Sequence, residues 1–277
     1  MPSEPAPWIT VSQLHQDWVP RRIGRQILIL DETDSTNTLA LKACEEVDAD
    51  GLVVLANFQL EGRGRLGRAW LSPRGASVLA SLVLVPPAAE IGAVEAGSPA
   101  GISAWLTQVS AVAACEAIRR ATEITPAIKW PNDLRYGGRK LGGILIESRI
   151  LPEERRAWVV GIGVNCLQQA GHFPPDLRRA ATSLELVASH PIDRVEVIRC
   201  LLQSLDEWLD PAAWGQTGRV HAAWLNYAEP LGQKTRLRRE GRDYAGWTVE
   251  VDPVGGLIVQ LESGRQEWFD PMITTLL

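Results

Sequence analysis

The sequence predicts an α+β fold: a central mixed β-sheet with helices packed on one side, followed by a small β-barrel. Short apolar runs of strand length alternate with segments of helical period through most of the chain. After Glu229-Pro230 the character changes, and several short strand-like runs follow one another between Gly and Pro turns, the pattern of a small barrel. A length of 277 residues accommodates one large and one small domain. The expected division is a leader at 1–25, a main domain at 26–229 and a barrel at 230–277.

Residues 1–22 read as a loose leader followed by a short amphipathic piece. QILILD at 26–31 is a buried strand. Ser35, Thr36 and Asn37 then offer N-cap oxygens to a helix carrying Leu39, Ala40, Ala43, Cys44 and Val47 on one face. GLVVLA at 51–56 is a second strand that runs into a Gly/Arg loop, and 77–85 is a third. Residues 87–99 read as a small-residue linker, and 102–120 as a long helix. AIKW at 127–130 is a short strand ending in the turn Pro131-Asn132-Asp133. Residues 142–148 and 157–164 pair as a hairpin across Pro152-Glu153-Glu154. Helices follow at 193–209 and 212–225, then barrel strands at 235–237, 248–251, 257–261 and 267–269, with turns such as Asp252-Pro253.

Composition narrows the function. The net charge of −5 opposes a general nucleic-acid binder, which normally carries a basic excess. Four cysteines lie apart without metal-site or redox spacing, which points to reduced thiols in a cytoplasmic setting. The histidines form no ligand pair, so no metal ligands can be named. No apolar run reaches the roughly 18 residues of a membrane span, and the proline-rich start lacks the parts of a signal peptide.

Four runs carry the chemistry. Gly62-Arg63-Gly64-Arg65-Leu66-Gly67-Arg68-Ala69-Trp70 interleaves arginines with glycines, so fork-shaped cationic donors sit on a backbone that can approach an anion closely. It formally matches a dinucleotide fingerprint, but Trp70-Leu71-Ser72-Pro73 starts no helix, and no acid lies about 20 residues on. Lys129-Trp130-Pro131-Asn132-Asp133 ends a strand in a polar turn. Lys140 heads a glycine-flanked strand, where a phosphate or carboxylate partner and a surface lysine at a hairpin end are both open readings. Gly161-Ile162-Gly163-Val164-Asn165 places two glycines in a strand, where close approach and plain weak packing are both open readings.

In this order the four runs, with Ser35-Thr36-Asn37 before them, resemble the biotin–protein ligases from about Ile27 to the end of the chain. The resemblance implies a class II synthetase-like catalytic domain with a C-terminal SH3-like barrel. It implies attachment of biotin to a lysine of a biotin carboxyl carrier protein, through biotinyl-5′-AMP, with ATP and Mg²⁺. Ser35, Thr36, Asn37 and Gln59 would line the biotin end. Arg63, Gly64 and Arg65 would form the loop over biotin and its adenylate, and Lys140 would reach the reacting carboxylate and phosphate. Arg68, Trp70, Asn132 and Asn165 would lie on the nucleotide side, and Thr182-Ser183-Leu184 matches a segment that follows it. Arg63, Arg65 and Lys140 are the expected catalytic residues. Members of the family are often homodimers.

The chain departs from the family pattern at Leu60 and Glu61, beside the anion loop, where Glu61 is expected either to point away or to weaken ATP binding somewhat. About 25 residues precede the first strand, too few for the winged helix-turn-helix of the regulatory members, so DNA binding is not expected. Two other readings remain open at this level. One is a lipoate or octanoate ligase of the same superfamily, against which stands the lack of its R-x-S-G-G-G or R-G-G-D segment. The other is a non-catalytic sensor of biotin or nucleotide.

Overall fold

The structure is a computed structural model that describes residues 8–46, 48–94, 98–252 and 255–277. Residues 1–7 of the leader, Val47 of the first helical pattern, residues 95–97 of the linker and Pro253 of a barrel turn lie outside the described residues. The chain begins with α1 (Val11–Leu14), β1 (Ile27–Thr33), α2 (Thr36–Ala43), β2 (Val53–Gln59) and β3 (Ser77–Leu84). It continues with α3 (Ala88–Ala93), α4 (Pro99–Thr122), β4 (Ala127–Lys129), β5 (Asp133–Tyr136), β6 (Arg139–Ile150) and β7 (Arg156–Asn165). Helices α5 (Leu184–Val187), α6 (Arg194–Trp208) and α7 (Thr217–Tyr227) follow. The last strands are β8 (Lys234–Arg239), β9 (Arg242–Val251), β10 (Leu257–Leu261), β11 (Gln266–Phe269) and β12 (Thr274–Leu276).

The first seven strands form one sheet in the order β1-β2-β3-β7-β6-β5-β4. Only β1 and β2 run parallel, so the sheet is mixed, as predicted. Strand side chains alternate between faces, and the two faces of this sheet bury different helices. Leu82, Leu84, Trp158 and Val160 point into the large core with α4 and α6. Val83, Ala157 and Val159 point the other way, into a smaller cluster with Ala40 and Cys44 of α2. The expectation of helices on one side therefore holds for α4 and α6 but not for α2. Helix α4 is long and apolar enough to cross a membrane, and here it is the buried core helix, packed on α6, α7 and the sheet.

Residues 8–25 are not a loose leader. Ile9, Leu14 and Ile23 are fully buried in the large core. The Asp206 carboxylate on α6 accepts hydrogen bonds from the backbone N–H groups of Arg21, Arg22 and Ile23, at 2.8, 2.8 and 2.9 Å. The buried Arg22 guanidinium pairs with Asp50 and Glu90, both at 2.9 Å, and lies over the Trp214 ring. Burial works to lower its pKa, but the bonds and charges of Asp50 and Glu90 outweigh it and raise the value.

Other differences have local causes. The linker at 87–99 contains α3, and α4 starts at Pro99, where the Ser98 hydroxyl accepts from Gly101 N–H at 3.1 Å. The last helix of the main domain starts at Thr217, because 212–216 form turns around Gly215 at φ +76°. Asp133, expected to close a turn, opens β5, and neither β5 nor β12 is long enough, at four and three residues, to show alternation in the sequence. All four cysteines are free and buried, and burial pushes the Cys166 thiol up to about 12.

The five C-terminal strands form an antiparallel sheet, β11-β10-β9-β8-β12, around Leu237, Val251, Val259 and Phe269. It docks on the main sheet's end through Trp130, whose indole N–H donates to Gly255 O at 2.7 Å. Removing the Asp206 carboxylate would orphan three backbone donors at once. Asp206→Ala is expected to cost about 2–4 kcal/mol in urea unfolding, with Asp206→Asn intermediate because its amide oxygen still accepts. A midpoint unchanged in Asp206→Ala would contradict this account.

Candidate active site

A cleft of about 320 Å³ opens on the α2 face of the sheet, beyond the end of the smaller apolar cluster. Its floor continues the same alternation: Leu79 on β3, Gly143 and Leu145 on β6, and Gly161, Gly163 and Asn165 on β7. The two β7 glycines are there for close approach, which decides between the readings left open. A Cβ on Gly161 would overlap the Asn37 carboxamide. A Cβ on Gly163 would lie 2.7 Å from the Trp70 indole ring. Both side chains lie flat on bare strand.

At one end of the cleft, Ser35, Thr36 and Asn37 form the start of α2 and are almost fully buried. Ser35 occupies the N-cap position but its side chain makes no capping bond, contrary to expectation. The capping work falls to Gln59, whose Oε1 accepts from Thr36 N–H at 2.8 Å and Thr36 Oγ1 at 3.0 Å. The Ser81 hydroxyl contacts Thr36 Oγ1 at 2.8 Å and Asn37 Oδ1 at 2.5 Å. Asn37 Nδ2 donates to Glu147 at 2.7 Å, and the same carboxylate oxygen accepts from Arg63 at 2.9 Å.

The arginine loop folds back on itself as a tight hairpin. Arg63 bridges to Ala69, and Trp70 N–H donates to Gly62 O at 2.8 Å. A Cβ on Gly62 would strike Trp70 O, while Leu66 and Gly67 turn the chain at positive φ. Glu61 is exposed and not among the lining residues, as expected. Arg65 points inward. Its guanidinium donates to Asn132 Oδ1 at 3.1 Å and to the main-chain oxygens of Pro271, Met272 and Thr274. Burial lowers the Arg65 pKa, opposed by Asp133 and Asp270, but a guanidinium remains charged at neutral pH. Arg68 is exposed at the rim.

Asn132 is fixed to β6 in both directions: its Nδ2 donates to Ile144 O at 2.8 Å, and Ile144 N–H donates to its main-chain oxygen at 3.0 Å. Lys140 Nζ reaches Asp133 Oδ1 at 2.6 Å and lies 5.9 Å from the Trp70 ring centroid. Its backbone bonds to 180–182, which brings Thr182 beside the site, while the Ser183 hydroxyl caps α5. Asn165 Nδ2 donates to Thr182 O at 2.9 Å. Every side chain expected at the site thus lines this one cleft, together with Gly64. Arg63, Arg65, Arg68, Lys129 and Lys140 face it with Asp133 as the only lining carboxylate among the described residues, so the cleft favours an anion.

Residues 30–165 match the Biotin/lipoate A/B protein ligase family. Over 243 residues the chain is 32% identical to the bifunctional ligase/repressor BirA of Bacillus subtilis, covering 87% of this chain and 71% of that one. It is 33% identical over 242 residues to the biotin–[acetyl-CoA-carboxylase] ligase of Paracoccus denitrificans, covering 86% of this chain and 95% of that one. The chain belongs to the biotin protein ligase family. Among solved structures, biotin protein ligase from Aquifex aeolicus in complex with biotin and ATP superposes with a TM-score of 0.71 at 26% identity, covering 91% of this chain and 99% of that one.

For a biotin protein ligase chain, several residues around the cleft were not singled out from sequence. Ser81 is a polar interruption in the apolar run Ser77–Leu84, which is a usable signal. Glu147 carries none by spacing, because its contact with Asn37 is 110 residues away, while Gln168 bonds both Asn165, three residues before it, and Ser77, 91 residues away. Lys129 lies within a recognised motif; burial lowers its pKa, helped by the charge of Arg135. Gly161→Val is expected to fold with a loss of about 1–3 kcal/mol from overpacking and to expel the Asn37 carboxamide. An experimental structure of that variant with Asn37 still bonded to Ser81 and Glu147 would refute the close-packing account.

Proposed function

We propose that this protein is an ATP-dependent biotin–protein ligase that joins biotin to a lysine of a biotin carboxyl carrier protein, through biotinyl-5′-AMP. The observation that carries this reading is the convergence on one cleft of a buried polar end, Ser35-Thr36-Asn37 with Gln59, and an end built from Trp70, Asn132 and Asn165. Arg63, Arg65 and Lys140 stand with them. The reading divides the chain into a catalytic unit at 26–229 and a small SH3-like barrel at 230–277.

In the first step a biotin carboxylate oxygen attacks the α-phosphorus of ATP, and the bond to the β-phosphate bridge oxygen breaks to release pyrophosphate. An anion approaches a polyanion, so catalysis is chiefly positioning and charge neutralisation. Arg63, Arg65 and Lys140 supply fixed positive charge. In the second step a neutral lysine amine attacks the anhydride carbonyl, AMP leaves and the amine loses a proton. No enzyme nucleophile is needed.

Magnesium prefers one or two carboxylates plus phosphate oxygens. Asp133, the lone lining carboxylate among the described residues, has the chemistry to hold such an ion together with the nucleotide. When bound, the ion would add to the neutralisation of phosphate charge.

The adenylate must be kept from water until an acceptor arrives. Arg65 serves this retention, since it is anchored by three main-chain oxygens and Asn132 while its fork can bridge carboxylate and phosphate. Intact-mass measurement of a carrier domain incubated with enzyme, Mg-ATP and either biotin or lipoate is expected to show a biotin-sized gain with biotin only. A gain with lipoate alone would replace the reading. Arg65→Gly is expected to release biotinyl-AMP and label bystander lysines, and strict labelling of the carrier by that variant would remove Arg65 from retention.

A further inference from the structure

Five cleft-lining residues stand side by side in one row across the sheet. Leu79 on β3 pairs with Gly163 on β7, Gly163 with Gly143 on β6, Gly143 with Asp133 on β5, and Asp133 with Lys129 on β4. Trp70 lies on Gly163, and Lys140 Nζ lies 3.5 Å from where a Cβ on Gly143 would be. Asp133 comes next, its charge matched by Lys140 at 2.6 Å. Lys129 closes the row, two strands past Gly143 and about 10 Å from it. Lys129 is half-buried, and among the described residues its ammonium has no hydrogen-bond or ion-pair partner. The other cations facing the cleft differ: Arg63 rests on Glu147, Arg65 on neutral oxygens and Lys140 on Asp133, while Arg68 is exposed. Glu229, the second carboxylate near Lys129, is held by Arg135 at 3.2 Å.

A cation kept partly out of water with no counter-ion favours an anion beside it. The row says which anion. With the nucleoside at Trp70 and the α-phosphate at Lys140, the row continues only toward Asp133 and Lys129, away from the buried polar end beside Ser81 on β3. The four-carbon stem of Lys129 and a chain of phosphates can close the remaining distance from both sides. From this geometry we infer that Lys129 holds the β- and γ-phosphates of ATP and the pyrophosphate they become. The inference rests on the ligase reading. As the carboxylate oxygen bonds to the α-phosphorus, the electron pair of the breaking P–O bond stays on the bridge oxygen, and negative charge grows on the leaving pyrophosphate. Lys129 supplies its charge to that leaving group and not to the adenylate that stays behind, so it acts in the first step alone.

The test separates the two half-reactions. Biotin-dependent pyrophosphate release by the wild-type protein reports on the ligase reading by itself, and a wild type that releases none removes that reading and this inference together. Lys129→Met, which keeps the stem, is expected to lower kcat/KM for ATP by about 10- to 100-fold, the effect of one hydrogen bond to a charged group. In the reverse direction, with added biotinyl-5′-AMP, it is expected to raise the KM for pyrophosphate by a similar factor. Transfer of biotin from added biotinyl-5′-AMP to the carrier domain is expected to match the wild type, which a loss of structure would not spare. Lys129→Arg keeps the charge and is expected to retain most of kcat/KM for ATP. Unchanged ATP and pyrophosphate kinetics in Lys129→Met, or an equal loss in the transfer step, would overturn the inference. Lys129→Gln is expected to show the same split and takes the place of Lys129→Met should that variant fail to fold.

Discussion

A Cβ on Gly163 would sit 2.7 Å from the Trp70 ring, and one on Gly161 would overlap Asn37. The cleft depends on these two missing methyl groups. On the same face of β7, Ala157 and Val159 pack under α2 as ordinary core. One turn of the pleat further along, the strand is stripped, and the space goes to a carboxamide and an indole. Both are thereby held on a surface that cannot move, because β7 is bonded on both sides, to β3 and to β6. Everything else at the site is arranged above that floor: the buried start of α2 at one end, the arginine hairpin across the top, and Lys140 beside Trp70.

Positive charge is held in place by different means at each position. Arg63 and Lys140 each rest on a carboxylate, Glu147 at 2.9 Å and Asp133 at 2.6 Å. Arg65 is anchored by neutral oxygens, three of them main-chain oxygens at the start of β12 and in the turn before it. A cation on neutral acceptors keeps its full charge for an incoming anion, whereas one on a carboxylate must first exchange partners. The small sheet therefore takes part in the electrostatics of the cleft and is more than a neighbouring body. Its second tether, Trp130 to Gly255, adjoins the turn that carries Asn132.

Sequence carried a large share of this. The helix at α6 and the strands of the β6–β7 hairpin were legible because their apolar periods are long and unbroken. The site residues were legible because they fall in dense runs such as Gly62 to Trp70 and Lys129 to Asp133. What escaped was set by partners remote in the chain. Residues 8–25 show local pattern only in the short amphipathic piece that forms α1, and the rest of their order comes from Asp206 and from a core they complete. Ser35 has the chemistry of an N-cap, but Gln59 supplies the bond from another strand. Ser81, Glu147 and Gln168 act on residues 44, 110 and 3 positions away, and only the last of these is near enough for a local pattern to reach.

The Asp206 clasp also bears on the order in which the molecule is built. Its carboxylate meets amides that lie 183 to 185 residues earlier in the chain. Contacts of such separation pay a large closure entropy and form late. During synthesis, the segment leading into β1 emerges long before α6, so it has no carboxylate to accept its amides until α6 has been made. Ile9, Leu14 and Ile23 must wait with it, apolar and uncovered. The segment before β1 is thus among the last parts of the fold to be sealed, although it is made well before the helix that seals it.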